Sequence, residues 1–210
     1  MNEENEILQA SAFVEPFPHI IISDFYNSVE LKLIWEELNY YTKPGKLLEA
    51  KDFGGVVGKT NSHALALDSL YPKERRSISN ILTVNRKLFE PEVLESFAKV
   101  DDCCSIATEC NYDVTKVRYY HDKEYYDPHI DSAFQFLAFS YFYKEPKKFS
   151  GGELYFPKYD YNYSCENNSI IIFPSWVEHG VTEVNIDNSD YYDGYGRYCI
   201  SSFFGCESKR

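Results

Sequence analysis

The sequence predicts an α+β domain in which helices pack on an antiparallel, jelly-roll-like β-core. Helical signals are confined to the first half, and five short segments rich in β-branched and aromatic residues follow from residue 112. Aromatic residues make up 17% of the chain, and they fit the pleated surface of a sheet. We therefore expect one domain over residues 1–210, with a helical support region at 1–111 and a β-core at 112–206.

The composition indicates an acidic protein, with a formal net charge of −12. An acidic surface repels phosphate backbones, so we expect no binding to nucleic acid, whereas a basic peptide is compatible. The amino-terminal MNEENEILQA lacks the basic and apolar regions of a signal peptide, and no apolar run is long enough to span a membrane. The six cysteines form no CxxC pair. These features predict a cytoplasmic protein without membrane association.

Three helices are expected in the first half. Ser28 is the predicted N-cap of the first, whose apolar stripe consists of Leu31, Ile34, Trp35 and Leu38. Proline is favoured in the first turn of a helix, so Pro72 and Pro91 are expected to open the second and third. The predicted core residues of these two helices are Ile78, Ile81, Leu82 and Leu88, followed by Val93, Leu94, Phe97 and Val100.

A glycine-rich stretch at residues 44–60 separates the first two helices and has weak periodicity. It is either an ordinary surface connection or a flap over a substrate cleft. After residue 112 the expected strands are TKVRYY (115–120), FQFLAFSYFY (134–143), GGELYFP (151–157), SIIIFP (169–174) and RYCISSFFG (197–205).

A candidate metal site begins with His129 and Asp131, which are separated by one residue. In a strand both side chains point to the same face, with Cα atoms about 6.5 Å apart, although a surface histidine beside a solvated aspartate gives the same pattern. His179 follows an apolar strand and a short turn, from where it could converge on this pair. Two histidines and one carboxylate form the facial triad of non-haem iron(II) oxygenases, for which Zn²⁺, Mn²⁺ and Co²⁺ compete.

Arg197 begins the final strand, with Cys199 and Ser201 on its own face. Three protein ligands on one face of the metal leave positions for O₂ and for a chelating cosubstrate. A dicarboxylate that chelates the metal at one end needs a cation at the other end, and the planar guanidinium suits a carboxylate. The alternative is a surface arginine that balances an acidic chain.

Taken together, these residues resemble the prolyl 4-hydroxylase branch of the 2-oxoglutarate/Fe(II) oxygenases. The family pattern is matched in order, over about residues 112–205, by Arg118-Tyr119, His129-Ile130-Asp131, Gly151-Gly152-Glu153-Leu154, Ile170 to Phe173, His179-Gly180-Val181 and Arg197-Tyr198. One departure is that Arg197 lies farther beyond His179 than the family places its basic residue. We attribute this to a longer hairpin loop formed by the insert at 185–196, because loop extension costs little.

The resemblance implies a double-stranded β-helix, the jelly-roll or cupin-like core, on which the N-terminal helices pack. It implies that His129, Asp131 and His179 bind Fe(II) and that Arg197 pairs with the distal carboxylate of 2-oxoglutarate. Tyr119 is expected to donate a hydrogen bond to this cosubstrate, unless it is a core residue with a satisfied hydroxyl. Further residues expected to line the cavity are Tyr141, Tyr143 and Ser201.

The implied activity is hydroxylation of an unactivated C–H bond, with 2-oxoglutarate converted to succinate and CO₂ and with ascorbate as an accessory reductant. The branch suggests that the substrate is a prolyl residue of a peptide or protein. The tyrosine-rich stretches 155–163 and 185–196 could stack on such a substrate, or they could simply pack at an edge of the domain. His121 lies either at the entrance to the substrate cavity or in a solvated loop. Alternatives are a hydroxylase of a free amino acid or small metabolite, a non-catalytic cupin-like metal-binding module, and a zinc hydrolase, which the absence of HExxH disfavours.

Overall fold

A computed structural model of the chain describes residues 9–43, 45–49, 52 and 60–207. The flap considered for residues 44–60 falls mainly outside this part of the chain. The strands are β1 Ala10–Phe13, β2 His19–Ile22, β3 Leu48–Glu49, β4 His63–Ala66, β5 Tyr112–Tyr120, β6 Tyr126–His129, β7 Phe136–Phe142, β8 Phe149–Gly151, β9 Leu154–Phe156, β10 Tyr161–Tyr163, β11 Ser169–Pro174, β12 His179–Val181, β13 Val184–Ile186 and β14 Arg197–Gly205. The helices are α1 Ser28–Tyr41, α2 Leu67–Leu70, α3 Asn80–Val84, α4 Pro91–Ala98 and α5 Asn188–Tyr192, with 3₁₀ turns at Lys73–Ile78, Asn85–Phe89, Asp102–Glu109 and Pro157–Tyr159.

The strands form an eight-stranded major sheet in the order β1-β2-β11-β7-β14-β5-β4-β3 and a four-stranded minor sheet in the order β10-β9-β12-β6. Every pairing in both sheets is antiparallel, and β13 pairs with β8 in a separate two-stranded sheet. The two larger sheets face each other, which confirms the predicted α+β class with a double-stranded β-helix core. None of the helices in the described ranges is long and apolar enough to cross a membrane.

The major sheet is buried on both faces, so its central strands β11, β7 and β14 are buried at every position rather than at alternate ones. On β11, Ile170 and Ile172 belong to the core shared with the helices, whereas Ile171 and Phe173 belong to the core between the two sheets. This double burial explains why the segment SIIIFP has no polar face.

Helix α1 is capped one residue earlier than the sequence suggested. The Asn27 side chain accepts hydrogen bonds from the N–H groups of Val29 and Glu30, and the Glu30 carboxylate accepts one from the Asn27 N–H. This reciprocal capping box makes Asn27, and not Ser28, the N-cap. Of the predicted stripe, Ile34 and Leu38 are fully buried, while its other two members are partly buried.

The predicted second helix is interrupted, which corrects the expectation of one continuous helix. Ser79 has an extended backbone (φ −83°, ψ 125°), and its side chain accepts a hydrogen bond from the Leu82 N–H. The chain therefore leaves the first 3₁₀ turn and restarts as α3 with Ser79 as N-cap. Ile78, expected in the core, is 66% exposed because it lies at this break, whereas Ile81, Leu82 and Leu88 are buried. The third helix, α4, begins at Pro91 and buries Val93, Leu94 and Phe97 as predicted.

The insert at 185–196 does not form the expected hairpin loop. Strand β13 pairs with β8, whereas β14 pairs with β5 and β7, so the strands flanking the insert are not partners. Most of the insert is α5 and the turn that follows it. The Tyr191 ring stacks on Tyr119 with centroids 4.5 Å apart, and Lys148 Nζ lies 2.6 Å from an Asp190 carboxylate oxygen. The insert therefore packs on the helix-side core beside β5.

Candidate metal and cosubstrate site

The two histidines of the candidate triad are direct partners across the pair β6–β12. His129 is the last residue of β6, and Asp131 lies just beyond the strand, where its N–H donates to the Ser175 carbonyl at 3.3 Å. The prediction that one strand would carry both His129 and Asp131 is therefore wrong in detail. The turn still brings the carboxylate to the histidines, and one ligand atom of each residue lies within 4.8 Å of the other two.

Backbone carbonyls orient both imidazoles. His129 Nδ1 lies 2.9 Å from the Asp127 carbonyl oxygen, and His179 Nδ1 lies 3.0 Å from the Val177 carbonyl oxygen. A carbonyl can only accept, so each Nδ1 carries the proton and each Nε2 keeps its lone pair. Both Nε2 atoms point toward Asp131 Oδ2, at 3.7 Å and 3.5 Å.

Burial controls the charge states of this cluster. His179 is fully buried, and burial together with the charge of His129 lowers its pKa from 6.5 to about 3. Burial raises the pKa of Asp131, and the nearby charges of His129, Arg118 and Lys116 oppose that rise. A neutral imidazole is the form that binds a metal ion, so the environment of His179 favours ligation.

The donor set fits a divalent transition-metal ion. His179 Nε2 and Asp131 Oδ2 are buried, and neither has a hydrogen-bond partner among the described residues. An ion with bonds of about 2.1 Å places neighbouring octahedral ligands about 3 Å apart, so only small side-chain shifts are needed. Two imidazoles and one carboxylate suit Fe(II), which when bound would supply the activation of O₂.

Aromatic rings restrict the motion of both histidines. The Tyr126 ring stacks on His129 with centroids 3.9 Å apart and an interplanar angle of 17°. Phe139 and Phe173 present edges to His179 at 5.6 Å and 5.1 Å. Such packing holds each ring near one rotamer, as a preorganised ligand set requires.

Arg197 is fully buried and lines the same cavity. The ring centroids of Tyr120 and Tyr141 lie 4.6 Å and 5.0 Å from its guanidinium carbon. The guanidinium makes one hydrogen bond to a described residue, from Nη2 to Cys165 Sγ at 3.7 Å, and its Nε and Nη1 have no hydrogen-bond partner among the described residues. No carboxylate among the described residues forms an ion pair with this guanidinium, although its charge contributes to lowering the pKa of Glu153. A buried guanidinium without an anion is unfavourable, so the site is suited to an anionic ligand.

A cavity of about 140 Å³ connects the triad to Arg197. Tyr141 and Ser201 both line it, as predicted, and the Tyr141 hydroxyl is buried without a hydrogen-bond partner in the described ranges. Gly152 permits the close approach of Arg197, because a Cβ at Gly152 would lie 2.6 Å from Arg197 Cδ. The cavity thus joins a place for a metal to a buried cation and a hydroxyl donor, which matches a chelating dicarboxylate.

Tyr119 does not line this cavity, which overturns its predicted contact with the cosubstrate. Its hydroxyl donates to the Tyr191 carbonyl at 2.5 Å and accepts from the Gly196 N–H at 3.0 Å. Neighbouring residues of β5 point to opposite faces, and Tyr119 faces the helices. The tyrosine on the cavity face is Tyr120, directly opposite Arg197 in the β5–β14 register.

Other predicted candidates also lie outside the cavity. Tyr143 packs edge-on against Phe149 at 5.7 Å. His121 lines a separate groove, with its ring against Tyr191 at 4.2 Å. The tyrosine-rich stretch 155–163 packs in part at an edge, because Tyr159 and Tyr161 contact the Phe17 ring at 5.0 Å and 5.8 Å.

Sequence reasoning missed three cavity residues on β5: Lys116, Arg118 and Tyr120. Arg118 was noted only as part of the motif Arg118-Tyr119. Alternation along the strand indicates that these three share a face, but a strand that is covered on both sides does not reveal which face is the inner one. The spacing of two residues predicts that these side chains share a face, and the packing of the helices decides that this face points into the cavity.

The family comparison agrees with this geometry. Residues 115–205 match the model of the 2OG-Fe(II) oxygenase superfamily, a range that includes the triad and Arg197. This part of the chain is therefore similar to the superfamily of Fe(II)- and 2-oxoglutarate-dependent oxygenases, and the match covers less than half of the 210 residues. No curated protein sequence matches the chain.

Several solved structures share the fold. A prolyl-4-hydroxylase from Pseudomonas putida is 12% identical, with a TM-score of 0.56, over 90% of this chain and 93% of that one. The viral collagen prolyl hydroxylase of Paramecium Bursaria Chlorella virus-1, in complex with 2OG, is 16% identical, with a TM-score of 0.51. The similarity covers 89% of this chain and 96% of the viral one. A prolyl hydroxylase from Trichoplax adhaerens, solved with a hypoxia inducible factor peptide fragment, is 14% identical, with a TM-score of 0.56, over 89% and 83%. At these identities the similarity is one of fold.

Proposed function

We propose that this protein is a dioxygenase that hydroxylates an unactivated C–H bond, with His129, Asp131 and His179 as the ligands of Fe(II). The observation that carries the proposal is that this triad and the buried Arg197 line the same small cavity. One molecule of 2-oxoglutarate can contact both, because its keto-acid end chelates a metal and its distal carboxylate remains free.

The protein residues have distinct roles in this proposal. Arg197 binds the distal carboxylate, and the Tyr141 hydroxyl donates a hydrogen bond to the same group. Phe139 and the other aromatic side chains around the cavity exclude water from the reacting atoms. Nδ1 of each histidine keeps its proton on a backbone carbonyl, so that Nε2 remains a ligand throughout.

We further propose that the substrate is a prolyl residue of a peptide or protein. Two exposed apolar side chains lie beside the triad: Ile130, between two of the ligands, is 51% exposed, and Trp176, next to Ser175, is 48% exposed. Such side chains offer a surface to an apolar ring. The fold shared with prolyl hydroxylases, one of them solved with a peptide, supports the same choice. Ascorbate as accessory reductant and a cytoplasmic location belong to the proposal too.

The test is a screen of proline-containing peptides with Fe(II), 2-oxoglutarate and O₂. We expect succinate formation together with a mass gain of one oxygen atom on the peptide. The matched control is His129→Ala, which should remain folded and form no succinate. Full turnover in this variant would reject the proposed ligands.

A free amino acid is the second candidate substrate, because the cavity that the described residues form around the triad has a volume of only about 140 Å³. Free proline and other amino acids in the same screen separate the two candidates. Metal binding without succinate from any of these compounds would support the non-catalytic alternative.

A further inference from the structure

Two cysteine side chains meet at one end of the strand pair β5–β14. Cys110 lies two residues before β5 begins, and Cys206 directly follows the last residue of β14. Their Sγ atoms are 3.5 Å apart, close enough for one thiol to donate a hydrogen bond to the other. The proposed chemistry uses neither residue, since neither lines the cavity that joins the triad to Arg197.

The backbone around both cysteines is held in place by hydrogen bonds. The Asn111 N–H donates to the Gly205 carbonyl at 3.0 Å. The Asn111 side chain donates to the Glu207 carbonyl and accepts from the Glu207 N–H, each at 2.9 Å. These three bonds fix the residues on either side of Cys206 against the residue that follows Cys110. The short distance between the two sulfur atoms is therefore a consequence of how the ends of β5 and β14 are joined.

The two thiols differ in exposure, which sets the order in which they meet an oxidant. Cys110 is 5% exposed, and its burial, together with the hydrogen bond to Cys206, raises its pKa. It therefore remains a protonated thiol, which donates to the Ile106 carbonyl at 3.7 Å. Cys206 is exposed to solvent. A dissolved oxidant thus meets Cys206 first and finds Cys110 as the second thiol within reach.

Little movement is needed to join the two sulfur atoms. A disulfide bond is about 2.05 Å long, so they must approach by about 1.5 Å. Cys206 lies beyond the end of β14, where its exposed side chain can rotate toward Cys110. The sulfur atoms of Cys103 and Cys104 are also close, at 3.9 Å. Those residues are adjacent, however, and Cα atoms about 3.8 Å apart lie below the usual span of a disulfide.

We propose that Cys110 and Cys206 form a disulfide when the protein meets hydrogen peroxide, and that this bond closes the β-core on itself. The Cys206 sulfur attacks one peroxide oxygen, the O–O bond breaks, and the thiol proton leaves with the other oxygen as water. The Cys110 sulfur then attacks the resulting sulfenic acid, and its proton leaves with the sulfenic hydroxyl as a second water. The two thiols lose two electrons, and one peroxide is reduced to two waters.

The position of this bond in the chain gives it a structural effect. The two cysteines are 96 residues apart and enclose the β-core from before β5 to after β14, with the triad and Arg197 between them. A cross-link restricts the unfolded chain more as the loop that it closes becomes longer. The oxidised protein should therefore resist unfolding of the β-core.

The experiment treats the reduced full-length protein with hydrogen peroxide in the presence of a chelator, so that no metal ion reacts with the oxidant. We expect two of the six thiols to be lost, with a mass decrease of two hydrogen atoms. A peptide map without reduction should show the cross-link between Cys110 and Cys206. The midpoint of thermal unfolding should rise by at least about 5 °C and return to its first value when dithiothreitol is added.

Two serine variants separate this pair from the other thiols. Cys206→Ser removes an exposed thiol, so the variant should fold as the parent does but lose both the cross-link and the rise in unfolding temperature. Cys103→Ser is the matched control, because Cys103 is also exposed but lies in the 3₁₀ turn Asp102–Glu109. This control should keep both effects. None of these readouts needs turnover, so they are independent of the proposed function.

Several results would overturn the inference. One is a cross-link at a different pair, including Cys103 with Cys104, or a link between two chains. Another is treated protein in which Cys206 has become a sulfinic acid without a bond to Cys110, or in which all six thiols remain. An unchanged unfolding temperature with the bond between Cys110 and Cys206 in place would overturn the proposed closure of the β-core.

Discussion

His129 and His179 are direct cross-strand partners, with ring centroids 4.5 Å apart on the inner face of the minor sheet. Opposite residues of an antiparallel pair project from the same face, so this register alone brings two imidazoles together. The turn after β6 then needs only to return one carboxylate to them. A shift of one residue in this pairing would move one histidine to the opposite face, so the minor-sheet register is what creates the site.

Removal of one triad histidine should strongly weaken metal binding without unfolding the protein. In His179→Ala we expect the affinity for Co(II) or Fe(II) to fall by more than about 100-fold, because loss of outer-shell partners alone typically costs 10- to 100-fold. Equilibrium titration of the metal-free protein measures this. His121→Ala is the control, since His121 lies in a separate groove and its loss should leave the affinity unchanged. Equal affinities of the two variants would contradict the assignment.

The metal-free protein should lose stability on acidification because of His179. Its pKa is about 3 in the folded state and about 6.5 when unfolded, so below pH 6.5 the unfolded state binds more protons. Its contribution is therefore complete above pH 6.5 and is lost as the pH falls toward 3, by at most about 1.4 kcal/mol per pH unit. The raised pKa of Asp131 acts in the opposite direction.

The comparison of the parent protein with His179→Gln isolates this effect. Urea unfolding of both metal-free proteins at several pH values between 7.5 and 4 should show the parent losing more stability than the variant. A difference in unfolding free energy that does not vary with pH would mean that His179 titrates normally.

Two tyrosines should respond oppositely to loss of their hydroxyls. Tyr141→Phe removes a buried hydroxyl without a partner among the described residues, so stability should be kept while KM for 2-oxoglutarate rises about 10-fold. Tyr119→Phe removes a hydroxyl bonded to Tyr191 and Gly196, so it should lose about 1 kcal/mol of stability at unchanged KM. Thermal unfolding and succinate kinetics measure the two effects. A raised KM in Tyr119→Phe would restore the role first assigned to that residue.

Gly152→Ala should weaken cosubstrate binding by displacing Arg197. The new Cβ would lie 2.6 Å from Arg197 Cδ and 2.9 Å from Val184 Cγ2, at a φ of +72°. Gly45→Ala is the matched control, because Gly45 also has a positive φ, +77°, but a Cβ there meets nothing within 4 Å. We expect about 1–2 kcal/mol of backbone strain in both, and an increase of KM for 2-oxoglutarate in Gly152→Ala alone. The same KM in both variants would show that Arg197 can move aside.

The sequence by itself determined the fold class and the identity of the candidate metal residues. Helical periodicity before residue 112 and aromatic, β-branched segments after it predicted helices on an antiparallel core, because those patterns follow from side-chain geometry within each element. The ordered motifs singled out His129, Asp131 and His179, which the tertiary structure then brings within 4.8 Å. Arg197 could be singled out because the chain has no nearer basic residue after His179.

Only the tertiary structure decided which face of each buried strand points inward. Tyr119 and Tyr120 are equivalent by composition and period, and β5 is covered on both sides, so the choice between them depends on how α5 and the helices pack against the major sheet. The sequence likewise shows that Lys116 and Arg118 are two residues apart and share a face of the strand. It does not show whether that face points into the cavity. Local patterns specify which residues share a face, whereas the inward or outward direction of that face is set by contacts between residues far apart in the chain.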